Sequence, residues 1–197
     1  MSPVLNPMEL LFASIFTSNI LLSNFLGMCS FIAISKNFKS SNGLGMAVTL
    51  VLLVTGILNW IVLHFVLIPL ELEYLRFIVF IIVIAAVVQI LEMIIDRVSP
   101  ELYMTLGIFL PLITVNCAIL GVSLFLQIRN YSFIQTVIYS FGSGIGWWLA
   151  ILALAAIRKK TDKAPVPEAL QGPGITLITI GFMAMAFIGF SGMLRIQ

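Results

Sequence analysis

The sequence predicts an all-α integral membrane protein with six transmembrane helices. Of its 197 residues, 61% are hydrophobic and only 9% are charged, whereas about a quarter of the residues in a soluble domain are charged. A hydrocarbon core about 30 Å thick requires about 20 apolar helical residues for each crossing. The apolar runs here have that length and are continuous, unlike the short alternating strands of a β-barrel. Lipid offers the backbone no hydrogen-bond partner, so each run is expected to be helical.

Hydropathy predicts the six helices in order and leaves only short connections between them. The first helix follows an N-terminus without basic residues and is longer than a signal peptide, so we expect it to be retained. Polar, glycine and proline residues separate the later helices, and no connection is long enough to form a domain. Residues 1–197 are therefore predicted to form a single membrane domain. The predicted helices cover about residues 10–35, 44–69, 74–95, 102–127, 133–157 and 174–194.

The basic residues predict the orientation of the chain in the membrane. Connections after the first, third and fifth helices contain Lys36, Lys39, Arg97, Arg158, Lys159, Lys160 and Lys163, and the opposite side contains only Arg76, Arg129 and Arg195. Basic connections are retained in the cytoplasm. Both termini are therefore expected on the outer side of the membrane.

The chain divides near residue 98 into two halves of three helices, about 1–98 and 99–197. An odd number of helices in each half means that related halves have opposite orientations in the membrane. The segment FLGMCSFIAIS (residues 25–35) can be aligned with ITVNCAILGVS (residues 113–123), which places one cysteine at the same position in each half. This short match favours two inverted repeats.

The first and fourth helices contain the most polar residues in their central parts. Asn19, Ser23, Asn24 and Gly27 precede Cys29, and Gly107, Pro111, Thr114 and Asn116 precede Cys117. Proline removes a backbone donor and breaks or kinks a helix. Such breaks are tolerated in a membrane where protein or a cavity satisfies the backbone. We therefore expect both helices to be central and interrupted near the midplane.

Cys29 and Cys117 allow two interpretations. Two thiolates that meet at the interface between inverted repeats could bind a soft metal or half of an iron–sulfur cluster, which requires four cysteine ligands. The alternative is that both cysteines are small packing residues. The residues alone favour packing.

The end of the third helix has a polar face. Gln89, Glu92 and Asp96 are spaced three and four residues apart, so they lie on the same side of the helix. Carboxylates near a helix C-terminus and within hydrocarbon are unfavourable unless a cation compensates them. Glu92 is therefore a candidate for a sodium or proton path, and the alternative is an interfacial carboxylate that reaches water or pairs with Arg97.

Other motifs limit the possible functions. Gly142 and Gly146 form a GxxxG motif that predicts close helix packing. No nucleotide-binding fingerprint, metalloprotease motif or catalytic triad is present, and a net charge of +2 does not suggest a nucleic-acid partner. No catalytic residue is predicted in this chain.

The cysteine segments resemble a known family. NFLGMC (residues 24–29) and GIFLPLITVNCAI (residues 107–119) are similar to the paired membrane subunits of the Nqr and Rnf complexes, the NqrDE/RnfAE family. QILEMIIDR (residues 89–97), YSFGSGIGW (residues 139–147) and GFSG (residues 189–192) are most similar to the NqrE-type subunits of sodium-translocating NADH:quinone reductases. The RnfA-type subunits are the nearest alternative.

The resemblance implies a six-helix, inverted-repeat subunit of a translocase in the bacterial inner membrane. It implies that Cys29 and Cys117 hold half of a [2Fe-2S] cluster shared with a homologous NqrD-like subunit. This cluster would relay electrons from NADH toward ubiquinone, together with NqrA, NqrB, NqrC and NqrF. Glu92 matches an acid that the family associates with Na⁺ uptake. The family often has an acidic residue before the first asparagine, whereas Ser18 precedes Asn19 here.

Two other functional classes remain open at the level of the sequence. The same inverted repeat could form a secondary transporter or channel, in which the cysteines only pack. A structural scaffold is the third possibility. Neither alternative predicts iron bound to Cys29 and Cys117.

Overall fold

The computed structural model describes residues 6–98, 113–165, 167 and 170–189. Within these ranges the chain consists of helices and short turns, without strands. The helices are α1 (Pro7–Phe12), α2 (Met28–Ile34), α3 (Phe38–Val62), α4 (Arg76–Val98), α5 (Cys117–Ile128), α6 (Phe133–Thr161) and α7 (Pro173–Ile188). π-Helical turns continue α1 through Ala13–Thr17 and α3 through Leu63–Leu67, and the 3₁₀ turn Glu73–Leu75 precedes α4.

Three of the described helices are long and apolar enough to cross a membrane. They cover Phe38–Leu67, Arg76–Ile94 and Phe133–Thr161 and correspond to the second, third and fifth predicted helices. The shorter apolar helices Pro7–Thr17, Cys117–Ile128 and Pro173–Ile188 fall on the other three predicted segments. The start of the predicted fourth helix and the end of the sixth lie outside the described residues. The all-helical, apolar architecture of a multi-pass membrane protein agrees with the sequence prediction.

The helix α3 begins at Phe38, earlier than the predicted boundary near residue 44. The side chain of Asn37 accepts a hydrogen bond from Lys39 N at 3.1 Å and caps the helix. Ser41 Oγ donates to Ile34 O at 3.1 Å, so this polar turn is held against the end of α2. Hydropathy assigned these residues to a loop because their side chains are polar, whereas the structure buries some of them within the first helical turns.

Close packing between α3 and α6 forms the centre of the bundle. The two helices are antiparallel: Gly45 lies against Trp148, Gly56 lies against Ser140, and a Cβ on Gly144 would be 2.8 Å from Thr49 Cα. Small residues at these crossings let the helix backbones approach each other.

The core beside this helix pair contains large side chains, and the outer faces of the bundle are apolar. Trp147, Tyr139 and Phe31 are fully buried. Exposed apolar side chains cover α4 and α7, as expected for helices that face lipid or other subunits. These side chains include Ile78, Ile81, Ile82, Ile90 and Met93 on α4, and Leu177, Ile178, Phe182 and Met185 on α7.

Candidate functional site

The first predicted helix is interrupted between Thr17 and Met28, as expected from its polar residues. Asn19 stabilises the break and is only 1% exposed. Its Oδ1 accepts hydrogen bonds from Leu21 N and Leu22 N at 3.0 and 3.2 Å. Its Nδ2 donates to Gly146 O on α6 at 2.9 Å. Asn19 therefore satisfies backbone groups that lipid could not.

Gly27 connects the break to α2 and has no room for a side chain. Its φ of +85° lies in the left-handed region, which glycine adopts at little cost. A Cβ here would lie 2.8 Å from Trp147 Nε1, 3.0 Å from Asn116 Oδ1 and 3.1 Å from Ala118 Cβ. The α2 N-terminus is therefore pressed against α6 and the start of α5.

A second interruption directly precedes Cys117. The residue before it, Asn116, has extended backbone angles, and its side chain accepts from Ala118 N at 3.0 Å, so it is the N-cap of α5. Cys117 is consequently the first residue of α5. The interruption predicted in the fourth helix is present at this point, and Pro111 lies outside the described residues.

Hydrogen bonds join the two interruptions. Gly27 N donates to Cys117 Sγ at 2.9 Å. Asn116 Nδ2 donates to Ser30 Oγ at 3.2 Å in a buried position. Since Ser30 follows Cys29 and Asn116 precedes Cys117, these contacts bring the two cysteine segments together. Both cysteine residues are exposed and are not joined by a disulfide.

Arg158 supports the cysteine site from the opposite end of α2. Its guanidinium Nη1 donates to Ile32 O at 3.0 Å and to Ser35 Oγ at 2.7 Å. The side chain is only 7% exposed. In the sequence, Arg158 is one of several basic residues that indicate orientation. Nothing there distinguishes it from Lys159 and Lys160, so its contact with α2 is visible only in the structure.

The GxxxG motif of α6 packs against the interrupted first helix, which confirms its predicted role in close helix packing. Gly142 lies against Ser14, and a Cβ on Gly146 would lie 2.9 Å from both Ile15 O and Asn19 Nδ2. A larger residue at either position would displace the segment that leads to Cys29.

Glu92 lies apart from the contacts that join the cysteine segments. It is half-buried on α4, with Gln89 and Asp96 exposed on the same side of the helix. The predicted polar face is therefore present. Glu92 is a candidate for the ion path and is separate from the two cysteine segments.

The donor set fits half of a thiolate-ligated centre. Within the described residues there is no group of three or more His, Cys, Asp or Glu side chains that could hold a metal ion. Cys29 and Cys117 are, however, exposed together at the starts of two connected half-helices. This arrangement would suit a metal centre that takes its remaining ligands from another chain.

Comparison with known proteins gives one consistent result. Residues 7–194 match the model of the family described as "Rnf-Nqr subunit, membrane protein". The chain is 50% identical over 201 residues to the E subunit of the Na(+)-translocating NADH-quinone reductase of Chlamydia trachomatis and to that of Chlamydia muridarum, covering 96% of this chain and 82% of each relative. The E subunit of the Chlamydia caviae enzyme is 50% identical over 200 residues, which cover 95% of this chain and 76% of the relative. The chain belongs to the Rnf-Nqr family of membrane subunits.

Proposed function

We propose that this chain is the E-type membrane subunit of a Na⁺-translocating NADH:quinone reductase. In this role Cys29 and Cys117 supply two of the four thiolate ligands of a [2Fe-2S] cluster. A homologous NqrD-like subunit supplies the other two. The cluster would relay electrons within the membrane, and the relay would be coupled to Na⁺ transport. The chain has no complete active site of its own and acts with NqrA, NqrB, NqrC and NqrF.

The main support for this proposal is that hydrogen bonds join the two segments that carry the cysteines. A packing role would favour buried thiols, because free cysteine generally behaves as a small buried hydrophobe. Here both cysteines are exposed, and Gly27 N donates a hydrogen bond to Cys117 Sγ at 2.9 Å. A bond from a backbone N–H stabilises negative charge on the acceptor.

The chain's own residues place backbone N–H groups around the sulfur of Cys117. Cys117 is the first residue of α5, where the helix dipole is positive and the first N–H groups have no partner within the helix. Asn116 caps the next of these groups, and Gly27 donates to the sulfur itself. When bound, an iron–sulfur cluster at this position supplies one-electron transfer inside the membrane.

The proposed inverted repeat would account for a ligand set that is half complete. Each half of the chain has a helix that is interrupted just before its cysteine. An NqrD-like subunit with the same design would bring two further cysteines to the interface. Two copies of this arrangement complete the four ligands that a [2Fe-2S] cluster requires.

Glu92 is proposed as part of the Na⁺ path. The carboxylate lies near the C-terminal end of α4 and is half-buried. A carboxylate oxygen is a suitable ligand for a hard cation. The proposed location is the bacterial inner membrane, with both termini on the outer side and Glu92 near the cytoplasmic side.

Iron and acid-labile sulfide analysis of the purified complex tests this proposal. Cys29→Ser and Cys117→Ser should each remove two iron atoms per complex and abolish the electron paramagnetic resonance signal of one [2Fe-2S] cluster. Ala33→Ser provides the control, because Ala33 is an exposed residue of the same half-helix. Full iron content and normal quinone reduction in both cysteine variants would instead favour a transporter or a scaffold.

A further inference from the structure

A small cavity lies between α3, α4 and α5, away from the two cysteines. Its volume is about 70 Å³, which is enough to hold a particle of the size of water. The C-terminal turn of α5 forms part of its wall. The residues around it include Gly56, Asn59, Phe80, Ser123 and Gln127.

Two buried oxygen atoms in this wall have no hydrogen-bond partner within the described part of the chain. They are Asn59 Oδ1 and Gln127 Oε1. Asn59 is only 2% exposed. An unsatisfied buried polar group is costly, so these two oxygens indicate a ligand that carries positive charge or donates hydrogen bonds.

The orientation of the Asn59 amide follows from its neighbours. Ser123 Oγ donates its hydrogen to Ile119 O at 3.1 Å. It can therefore only accept from Asn59, whose Nδ2 lies 2.8 Å away. This arrangement places the amide nitrogen against Ser123 and leaves the amide oxygen without a partner among the described residues.

The end of α5 adds negative potential to the cavity. Gln127 is in the last turn of α5, which ends at Ile128. Helix C-termini carry partial negative charge, which favours a cation over an anion.

The nearby guanidinium of Arg129 is directed toward aromatic rings. Its central carbon lies 5.8 Å from the centre of the Phe125 ring and 5.7 Å from the centre of the Tyr139 ring. Arg129 Nη1 also donates to Tyr131 Oη at 3.1 Å. The charge of Arg129 lowers the affinity of the cavity for another cation. Moderate affinity is required at a site that an ion has to leave again.

The ring of His64 also borders the cavity. It stacks on Trp60 with the ring centres 4.0 Å apart, and its Nδ1 lies 3.1 Å from Trp60 O. Trp60 itself donates from Nε1 to Tyr131 O at 3.1 Å. His64 Nδ1 and Trp60 Nε1 are therefore engaged with the backbone.

We infer that this cavity is a transit site for a monovalent metal cation, which is Na⁺ in the proposed complex. Asn59 Oδ1, Gln127 Oε1 and water would coordinate the ion. This inference rests on the proposed function for the identity of the ion, whereas the cavity and its two oxygens are independent of the cysteine site. Neutral oxygen ligands without a carboxylate suit a hard cation that is bound and then released.

The helix α5 connects this site to Cys117. Gln127 follows Cys117 by ten residues, which is roughly 15 Å along a helix at about 1.5 Å per residue. Charges at this separation still interact inside a low-dielectric protein. Negative charge gained near Cys117 would therefore increase the occupancy of a cation in the cavity.

The test uses the intact complex with variants of Gln127 that have opposite effects. Gln127→Met removes the oxygen ligand and keeps a similar volume, and we expect the NaCl concentration for half-maximal quinone reduction to rise about tenfold. Gln127→Glu adds a carboxylate, so this concentration should fall about tenfold. Thr179→Val on α7 is the control, because Thr179 Oγ1 donates to Ile175 O of its own helix.

Opposite shifts in the two variants support the site, whereas no shift or shifts in the same direction overturn it. If Gln127→Met fails to assemble, the nearly isosteric Asn59→Asp takes its place with its own criterion: like Gln127→Glu it should lower the half-saturating NaCl concentration, and an unchanged or higher concentration in Asn59→Asp would overturn the site. Iron content is measured in every sample. Missing iron in the unmodified complex would contradict the proposed cluster. The shifts in the half-saturating NaCl concentration would still test the cation site, because they do not depend on the cluster.

Discussion

Single residues define the cysteine site through short contacts. Gly27 has a positive φ and is surrounded by Trp147, Asn116 and Ala118. Its backbone N–H also bonds to Cys117 Sγ. A change at Gly27 therefore alters backbone strain, packing and the hydrogen bond to sulfur together.

Gly27→Ala is expected to remove most of the iron from the assembled complex, because the added methyl group would displace Trp147 or Asn116. Iron per complex and thermal stability are the measurements. Gly172→Ala is the matched control, since Gly172 also has a positive φ of +89° but an added Cβ there would have no atom within 4 Å. Equal iron content in the two variants would contradict the crowding argument.

Arg158 is a second position where one side chain supports the site. We expect Arg158→Met to lower the free energy of unfolding by roughly 1.5–3 kcal/mol, the usual value for a hydrogen bond from a charged group. The melting temperature of the purified complex checks this. Lys159→Met removes an exposed charge from the same turn and should have little effect. An equal loss in both variants would show that net charge, rather than the contact with Ile32 and Ser35, is responsible.

At the scale of helices, the spacing of small residues sets the geometry of the bundle. Gly144 allows α6 to approach the backbone of α3 at Thr49. Gly142 and Gly146, on the other side of α6, allow α1 and its π-helical continuation to approach. The central helix α6 thus holds the segment before Cys29 in place on one side and α3 on the other.

Gly144→Ala should force α3 and α6 apart and lower the melting temperature of the complex, because the new Cβ would be 2.8 Å from Thr49 Cα. Gly181→Ala in α7 is the matched change, with no atom within 4 Å. This control should be neutral or slightly stabilising, since alanine is the better helix former by about 1 kcal/mol. Similar melting temperatures in both variants would count against close packing at Gly144.

The helices and their interruptions could be predicted from the sequence to different degrees. Long apolar runs predicted α3, α4 and α6, because hydropathy averages over many residues. The polar residues in the middle of the first and fourth helices correctly predicted the two interruptions, and the structure shows that Asn19 and Asn116 stabilise them. The contact between Arg158 and α2 could not be predicted, because it depends on which turn of α6 meets the end of α2. The helix α3 begins earlier than hydropathy predicts because Ser40 and Ser41 are polar in sequence but buried in the structure.

At the scale of the whole molecule, the distribution of charge predicts the orientation in the membrane. The connections after the first, third and fifth predicted helices contain seven basic residues, and the opposite side contains three. Alkaline phosphatase fused after Gln197 should therefore be active, because this enzyme requires the outer compartment. Green fluorescent protein at the same position should be dark. A fluorescent fusion without phosphatase activity would reverse the orientation and place Glu92 on the outer side.

The proposed half-site at Cys29 and Cys117 would need a second chain to complete it, so the complete complex provides the most direct test. Anomalous diffraction at the iron edge from crystals of that complex would locate the metal. We predict two iron atoms at the interface with the homologous partner, and we expect Cys29 Sγ and Cys117 Sγ to be among their ligands. Iron positions elsewhere, with the sulfurs of Cys29 and Cys117 unligated, would contradict the account.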